Sequence, residues 1–115
     1  HRIAEALENL LSNAIKFTPR GGRVDVWAGC EDGSLVLRVS DTGVGIAQDD
    51  CRHLFDRFFR ASGAEGVPGA GLGLSIVKAI VDAHDGAVRV TSEVGSGTTF
   101  DVRLPVARPE VAVAA

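Results

Sequence analysis

An alternating apolar pattern on both sides of an Asp-Gly turn constrains the fold of this chain more than any other feature. Val24, Val26 and Ala28 alternate with other positions before the turn at 31–33, and the alternation resumes over 35–39. A period of two is typical of half-buried strands, and Asp-Gly between two such runs predicts a tight β-hairpin. A hairpin with one apolar face needs a second layer to cover that face.

Helices are expected to supply the second layer. Residues 2–17 and 71–84 carry apolar side chains at helical spacing, and a short helix is expected from about 49 to 59. Two further strands follow, around 88–90 and over 98–104. This order predicts an α+β two-layer sandwich: a mixed, mainly antiparallel sheet with three helices packed on one face and its other face wet.

Composition narrows the classes of function. The chain has 115 residues, 45% of them apolar, which suffices for one domain with a buried core. A net charge of −3, one Trp and no Tyr argue against a nucleic-acid surface, and no apolar run is long enough to span a bilayer. Cys30 and Cys51 lack metal or redox spacing and are expected to be free thiols. We expect a domain at 1–105 and a C-terminal tail at 106–115.

Glycines at alternate positions open the second long helix. Gly69, Gly71 and Gly73 lie directly before its apolar pattern. A backbone without Cβ atoms can approach a bulky anion closely, and a helix N-terminus presents free N–H groups to it. The run therefore indicates a phosphate site, although glycines before a helix are common.

Asp41 is the polar residue that packing explains least well. It continues the alternation of 35–39, so its carboxylate is predicted to point to the core side at a strand end. A buried carboxylate needs a partner. The sequence leaves two partners open: a ligand donor such as the exocyclic amine of adenine, or backbone N–H groups of 42–45 in an Asx turn.

A second polar group lies on the first helix. Asn9, Asn13 and Lys16 share one helical face and can present oxygens to a cation and donors to phosphates, or can simply be solvated. Arg57 and Arg60 precede the glycine-rich stretch, where an arginine can reach a γ-phosphate or remain an exposed surface residue.

Four blocks in order resemble the motifs of sensor histidine kinases. Residues 9–19 (NLLSNAIKFTP) resemble the N box, 41–46 (DTGVGI) the G1 box, 54–60 (LFDRFFR) the F box and 69–74 (GAGLGL) the G2 box. The resemblance covers residues 1 to about 105 and implies the Bergerat ATP-binding fold of the GHKL superfamily.

The resemblance implies roles for the phosphate and metal contacts. Asn13 would ligate Mg²⁺ through its side-chain oxygen, with Asn9 near the phosphates and metal waters and Lys16 on phosphate. Arg60 is the preferred γ-phosphate contact, with Arg57 also in reach. Asn9, Asn13 and Arg60 are therefore the expected catalytic residues.

The resemblance also implies the contacts to the base and the backbone of the site. Phe17 would lie against adenine, where the family often has Tyr, and Asp41 would accept a hydrogen bond from the adenine amine. Ala70 replaces a frequent Ser or Thr, so a hydroxyl contact to phosphate is missing. The remaining expected cofactor contacts are Gly43, Gly45, Ile46, Gly69, Gly71, Leu72, Gly73, Leu74 and Thr99.

The residue type at position 9 distinguishes the kinases of this superfamily from its ATPases. GHKL ATPases of the gyrase type place a Glu one turn before the metal-binding Asn, where it can activate a water molecule. An amide cannot act as that base, so transfer from Mg²⁺-ATP to a histidine on a separate dimerisation domain is favoured, with a response regulator as the final acceptor. A GHKL ATPase, an anti-sigma-type serine kinase and a non-catalytic nucleotide sensor remain alternatives. We expect a cytoplasmic part of a longer, membrane-anchored sensor, without membrane contacts of its own.

Overall fold

The computed structural model describes residues 2–60 and 73–105, which form three helices and four strands. In chain order these are α1 (Arg2–Phe17), β1 (Val24–Glu31), β2 (Ser34–Asp41), α2 (Gln48–Cys51), α3 (Gly73–Ala83), β3 (Ala87–Glu93) and β4 (Gly97–Pro105). The predicted two-layer sandwich is confirmed. The tail at 106–115 lies outside the described residues.

The four strands form one sheet in the order β1-β2-β4-β3. All three strand pairs are antiparallel, so none of the described strands supplies the parallel pairing expected of a mixed sheet. The Asp-Gly hairpin forms as predicted. Asp32 and Gly33 adopt φ values of 51° and 78°, the left-handed pair that matches a two-residue turn to the strand twist.

The core lies between the sheet and the long helices. Alternation along the strands points Leu37, Val39, Phe100 and Val102 toward α1 and α3, and all four are buried. On the helix side the stripe of α1 is completed by the buried Ala6, Leu10 and Ala14, and that of α3 by Val77, Ile80 and Val81.

The helix expected over 49–59 is shorter than predicted. It ends after a single turn at Cys51, and Ala47 precedes it without a side-chain cap. Residues 52–57 continue as turns that bury Leu54 beneath them. The aromatic run behind these turns anchors the segment because Phe55 meets Phe100 edge-on, with ring centroids 6.1 Å apart.

The face of the sheet away from the helices is not simply wet. Val36 points to this face yet is 0% exposed. On one side of it the Trp27 ring lies over Gly29, with the Arg38 guanidinium 5.1 Å from the ring centroid. Across it the Arg103–Glu31 ion pair, 2.8 Å long, connects β4 to β1. Aromatic and charged side chains therefore cover an apolar strip that alternation alone assigned to solvent.

No helix among residues 2–60 and 73–105 is long and apolar enough to cross a membrane.

Replacing Phe100 tests the position of the core. Phe100 is 1% exposed, so Phe100→Ala should lower the free energy of unfolding by about 3–5 kcal/mol through lost burial and a residual cavity. Phe58→Ala removes the same side chain from a position that is 63% exposed. This variant should change the free energy of unfolding by less than about 0.5 kcal/mol. Urea denaturation of both variants measures the difference, and equal losses would contradict the described core.

Candidate functional site

The carboxylate of Asp41 joins three segments at one end of the sheet. Asp41 is 8% exposed and faces the helix side, as the alternation predicts. Its Oδ1 accepts hydrogen bonds from the Gly43 N–H (2.8 Å) and from the Thr98 N–H of β4 (3.3 Å). The bond to Gly43 is the Asx turn that the sequence left open.

The Asx turn does not exclude a ligand role for the same side chain. Both described bonds go to Oδ1, and none of the described hydrogen bonds uses Oδ2. A carboxylate accepts at both oxygens. Asp41 can therefore hold its own loop with one oxygen and accept from a bound molecule with the other.

The loop after Asp41 is pressed against the end of α1. The Val44 N–H donates to the Phe17 carbonyl (3.2 Å), and a Cβ on Gly43 would lie 2.3 Å from that carbonyl oxygen. Only glycine permits so close a contact. Phe17 and the loop at 42–46, predicted to form one base pocket, are thus neighbours through their backbones.

The same loop is fixed on its other side to the β3–β4 turn. Gly45 has φ +76°, and a Cβ there would lie 2.1 Å from the Glu93 carbonyl oxygen. Ile46 donates its N–H to Ser92 Oγ (2.7 Å), and Gln48 donates through Nε2 to the Ser92 carbonyl (2.8 Å). The predicted base-pocket glycines therefore mark two backbone contacts that hold the loop between α1 and β3.

The start of α3 adjoins the polar face of α1. A Cβ on Gly73 would lie 3.8 Å from Asn9 Oδ1, so the first and last of the four motifs meet here. Asn9 and Asn13 are half-buried and Lys16 is exposed. Leu74 packs against the core from the same helix turn. The start of a helix beside the Asn9 amide, on the α1 face that also carries Asn13 and Lys16, is suited to an anion and its counter-ion.

The two predicted arginine contacts lie on the segment that follows α2. Arg57 is exposed and its guanidinium lies 5.3 Å from the Phe58 ring centroid, on its own segment. Arg60 is exposed as well. The first four residues of the motif at 69–74, which include Gly69, Gly71 and Leu72, lie outside the described residues.

The structure places Thr99 on the wrong face for the predicted cofactor contact. Its Oγ1 lies 2.7 Å from Ser40 Oγ on the face away from the helices. Thr98 is instead the residue paired with Asp41. The sequence pattern could have shown this, because Thr98 is two residues before the core residue Phe100 and shares its face of the strand, whereas Thr99 points to the other face.

The acidic, histidine and cysteine side chains of the described residues are scattered rather than gathered for a metal ion. No cluster of three or more His, Cys, Asp or Glu side chains suited to a metal occurs within residues 2–60 and 73–105. Glu5 is more than half exposed and 4.0 Å from Arg2, and Glu8 is exposed. Burial, and then the nearby charge of Asp50, raises the pKa of the Cys51 thiol, which disfavours a thiolate nucleophile.

The chain matches a known family over nearly its whole length. The family model described as "Histidine kinase-, DNA gyrase B-, and HSP90-like ATPase" matches residues 1–108. The chain belongs to this family. Within it, the relatives confirm the predicted catalytic, ATP-binding domain of sensor histidine kinases.

Similar proteins include kinases of known sequence and structure. Histidine protein kinase DivJ of Caulobacter vibrioides is 52% identical over 90% of this chain and 18% of its own length. The mycobacterial sensor histidine kinase MprB is 39% identical with a TM-score of 0.84, covering 90% of this chain and 72% of that structure. ShkA, solved full-length in complex with AMPPNP, is 38% identical with a TM-score of 0.80, and the match covers 90% of this chain and 21% of the ShkA chain. The chain thus spans about a fifth of DivJ and of ShkA.

Two substitutions of Asp41 separate its structural bond from its charge. Asp41→Ala leaves the Gly43 and Thr98 N–H groups without their acceptor, and we expect unfolding to become easier by about 2 kcal/mol or more. Asp41→Asn retains an oxygen acceptor at Oδ1, so its loss should stay below about 1 kcal/mol. Thermal and urea unfolding measure the stability of both variants. Asp25→Ala, which removes an exposed carboxylate, is the control. An Asn variant as unstable as the Ala variant would refute the Asx-turn role.

Proposed function

We propose that this chain binds Mg²⁺-ATP between α1, the loop after β2 and the start of α3, and transfers the γ-phosphate to a histidine on a separate dimerisation domain. The observation that carries the proposal is the nearly buried Asp41 carboxylate, whose hydrogen bonds within the described residues all go to Oδ1, at one end of a site built from the N, G1 and G2 motifs. Family membership and an AMPPNP-bound relative support the nucleotide.

The base would enter at Asp41. A free carboxylate oxygen accepts from the adenine amine and repels the carbonyl oxygen that guanine has at the same place. Phe17 is half-buried at the end of α1 and supplies an apolar wall without a hydroxyl group. Gly43 and Gly45 would shape the base pocket by letting the loop lie close against the Phe17 and Glu93 carbonyls, and Ile46 would add an apolar edge.

The phosphates would lie at the opposite end, between Asn9 and the N-terminus of α3. Asn13 fits Mg²⁺, which takes one or two protein oxygens and otherwise phosphate and water. A neutral amide also avoids repelling the triphosphate. Lys16 and Arg60 would neutralise charge on the outer phosphates, with Arg57 as the second arginine, while Gly69, Gly71, Leu72 and Gly73 would supply backbone N–H groups.

Transfer to an external nucleophile is favoured over hydrolysis. Asn9 stands where GHKL ATPases place a catalytic Glu, and the acidic neighbours Glu5 and Glu8 are exposed. Without a carboxylate at position 9 to activate water, catalysis would depend on positioning and charge neutralisation of a loose transition state, which suits an imidazole acceptor. Positioning of that acceptor requires the dimerisation domain.

The role in the whole protein follows the same proposal. Residues 1–105 would act in the cytoplasm as the catalytic domain of a longer, membrane-anchored sensor kinase, with 106–115 as a tail. A response regulator would take the phosphoryl group from the histidine. This fragment itself needs no nucleic-acid or membrane contact for these steps.

Nucleotide titration of the purified domain tests the site. Calorimetry should detect ATP binding that strengthens with Mg²⁺, and Asn13→Ala should remove the Mg²⁺-dependent part while Ser12→Ala, an exposed neighbour on α1, retains it. Asp41→Asn should reduce the ATP preference over GTP by about 10-fold, since its amide can donate to a guanine carbonyl. Absence of ATP binding by the wild type, or an unchanged ATP/GTP ratio in Asp41→Asn, would refute the assignment.

The acceptor is tested by product chemistry. The domain mixed with a dimerisation domain carrying a histidine should yield an acid-labile phosphoprotein, with slow hydrolysis when that domain is omitted. Acid-stable phosphoserine would instead identify a serine kinase. Fast hydrolysis by the isolated domain would identify an ATPase.

A further inference from the structure

Ser92 lies beside the proposed base pocket without belonging to any of the four motifs. It is 7% exposed and follows Asp41 and Thr98 in one row across β2, β4 and β3, on the face toward the helices. Thr98 is 6% exposed. The row places the buried Thr98 next to the carboxylate that would receive the base, and the buried Ser92 next to Thr98.

The Ser92 hydroxyl has three hydrogen-bond partners and one proton. Its Oγ accepts from the Ile46 N–H at 2.7 Å and lies 3.0 Å from the Gly97 carbonyl oxygen and 2.8 Å from Thr98 Oγ1. A backbone N–H can only donate and a carbonyl can only accept. If every contact is satisfied, the Ser92 proton goes to Gly97 and the Thr98 proton goes to Ser92.

This arrangement removes the Thr98 proton from the ligand side. The Thr98 hydroxyl then presents lone pairs alone, next to the Asp41 carboxylate, which also only accepts. If the groups at this end of the pocket can only accept hydrogen bonds, they favour a purine that carries an amine at C6. They disfavour a carbonyl at the same position, as in hypoxanthine.

We propose that Ser92 is a specificity-determining positioning residue: by taking the Thr98 hydroxyl proton it makes the base end of the pocket accept only, and so favours adenine over 6-oxopurines. The inference rests on the proposed nucleotide site. Ser92 acts through Thr98 and does not touch the base. Its bond to Ile46 separately holds the loop at 42–48, and the Gln48 bond to the Ser92 carbonyl survives side-chain substitution.

Binding of ATP and ITP to the domain separates these two effects. ITP carries a carbonyl oxygen where ATP carries the amine. In Ser92→Ala the Thr98 hydroxyl is free to turn and donate to that oxygen, so the ATP/ITP affinity ratio should fall about 2- to 12-fold, the range of one net hydrogen bond. A loop that is merely looser would weaken both nucleotides equally. Ser96→Ala, on the exposed β3–β4 turn, should keep the wild-type ratio.

A double-mutant cycle identifies the route of the effect. In a Thr98→Val background Ser92→Ala should leave the ratio unchanged, because the hydroxyl through which Ser92 acts is gone. Ser92→Cys has a similar shape but forms weaker hydrogen bonds. It is the variant to measure if Ser92→Ala does not fold.

The possible results are distinct. An unchanged ratio in Ser92→Ala, or an equal shift with and without the Thr98 hydroxyl, overturns the role of Ser92 while ATP binding by the wild type upholds the site. A wild-type domain that binds neither nucleotide overturns the proposed function and this inference together.

Discussion

The pair of backbone hydrogen bonds accepted by Asp41 Oδ1 holds the functional end of the molecule together. One donor belongs to the loop that follows β2 and the other to β4, so a single oxygen fixes where the loop leaves the sheet. The same loop then contacts the Phe17 carbonyl on one side and Ser92 on the other. Loss of the carboxylate oxygen would release a segment that connects α1, β2, β3 and β4. A charged side chain is tolerated in this nearly buried position because its oxygen is hydrogen-bonded to two backbone N–H groups.

Glycines make that arrangement sterically possible. The positions of Gly43 and Gly45 leave no room for a Cβ, because the Phe17 and Glu93 carbonyls lie within van der Waals distance. Gly97 is equally constrained, since a Cβ there would lie 2.0 Å from the Asp41 carbonyl oxygen. Three backbone segments thus meet around one carboxylate, and the pocket proposed for the base is a by-product of their close approach. In the proposed site, the preference for one base over another would depend on whether the Thr98 hydroxyl proton is already donated to Ser92.

Local patterns predicted most of the fold because their physical basis is local. Alternation and the Asp-Gly turn defined the hairpin, and the apolar stripe defined α1 from Arg2 to Phe17. The short α2 was overestimated because its segment is held by tertiary contacts of Leu54 and Phe55 rather than by helical periodicity. The burial of Val36 was missed because it depends on the Trp27 ring and on an ion pair between residues 72 positions apart. In the candidate site, residue types and helical spacing singled out Asp41 and Asn9 as candidates, whereas the hydrogen-bond partners of Ser92 depend on the sheet register.

The most direct measurement is a crystal structure of the domain with Mg²⁺ and a non-hydrolysable ATP analogue. The purine amine should lie about 2.7–3.2 Å from Asp41 Oδ2, with Oδ1 still accepting from Gly43 and Thr98, and the metal should contact the Asn13 side-chain oxygen. A nucleotide bound with its base away from Asp41, or an Asp41 side chain that abandons the Gly43 N–H to reach the base, would contradict the division of roles between the two oxygens.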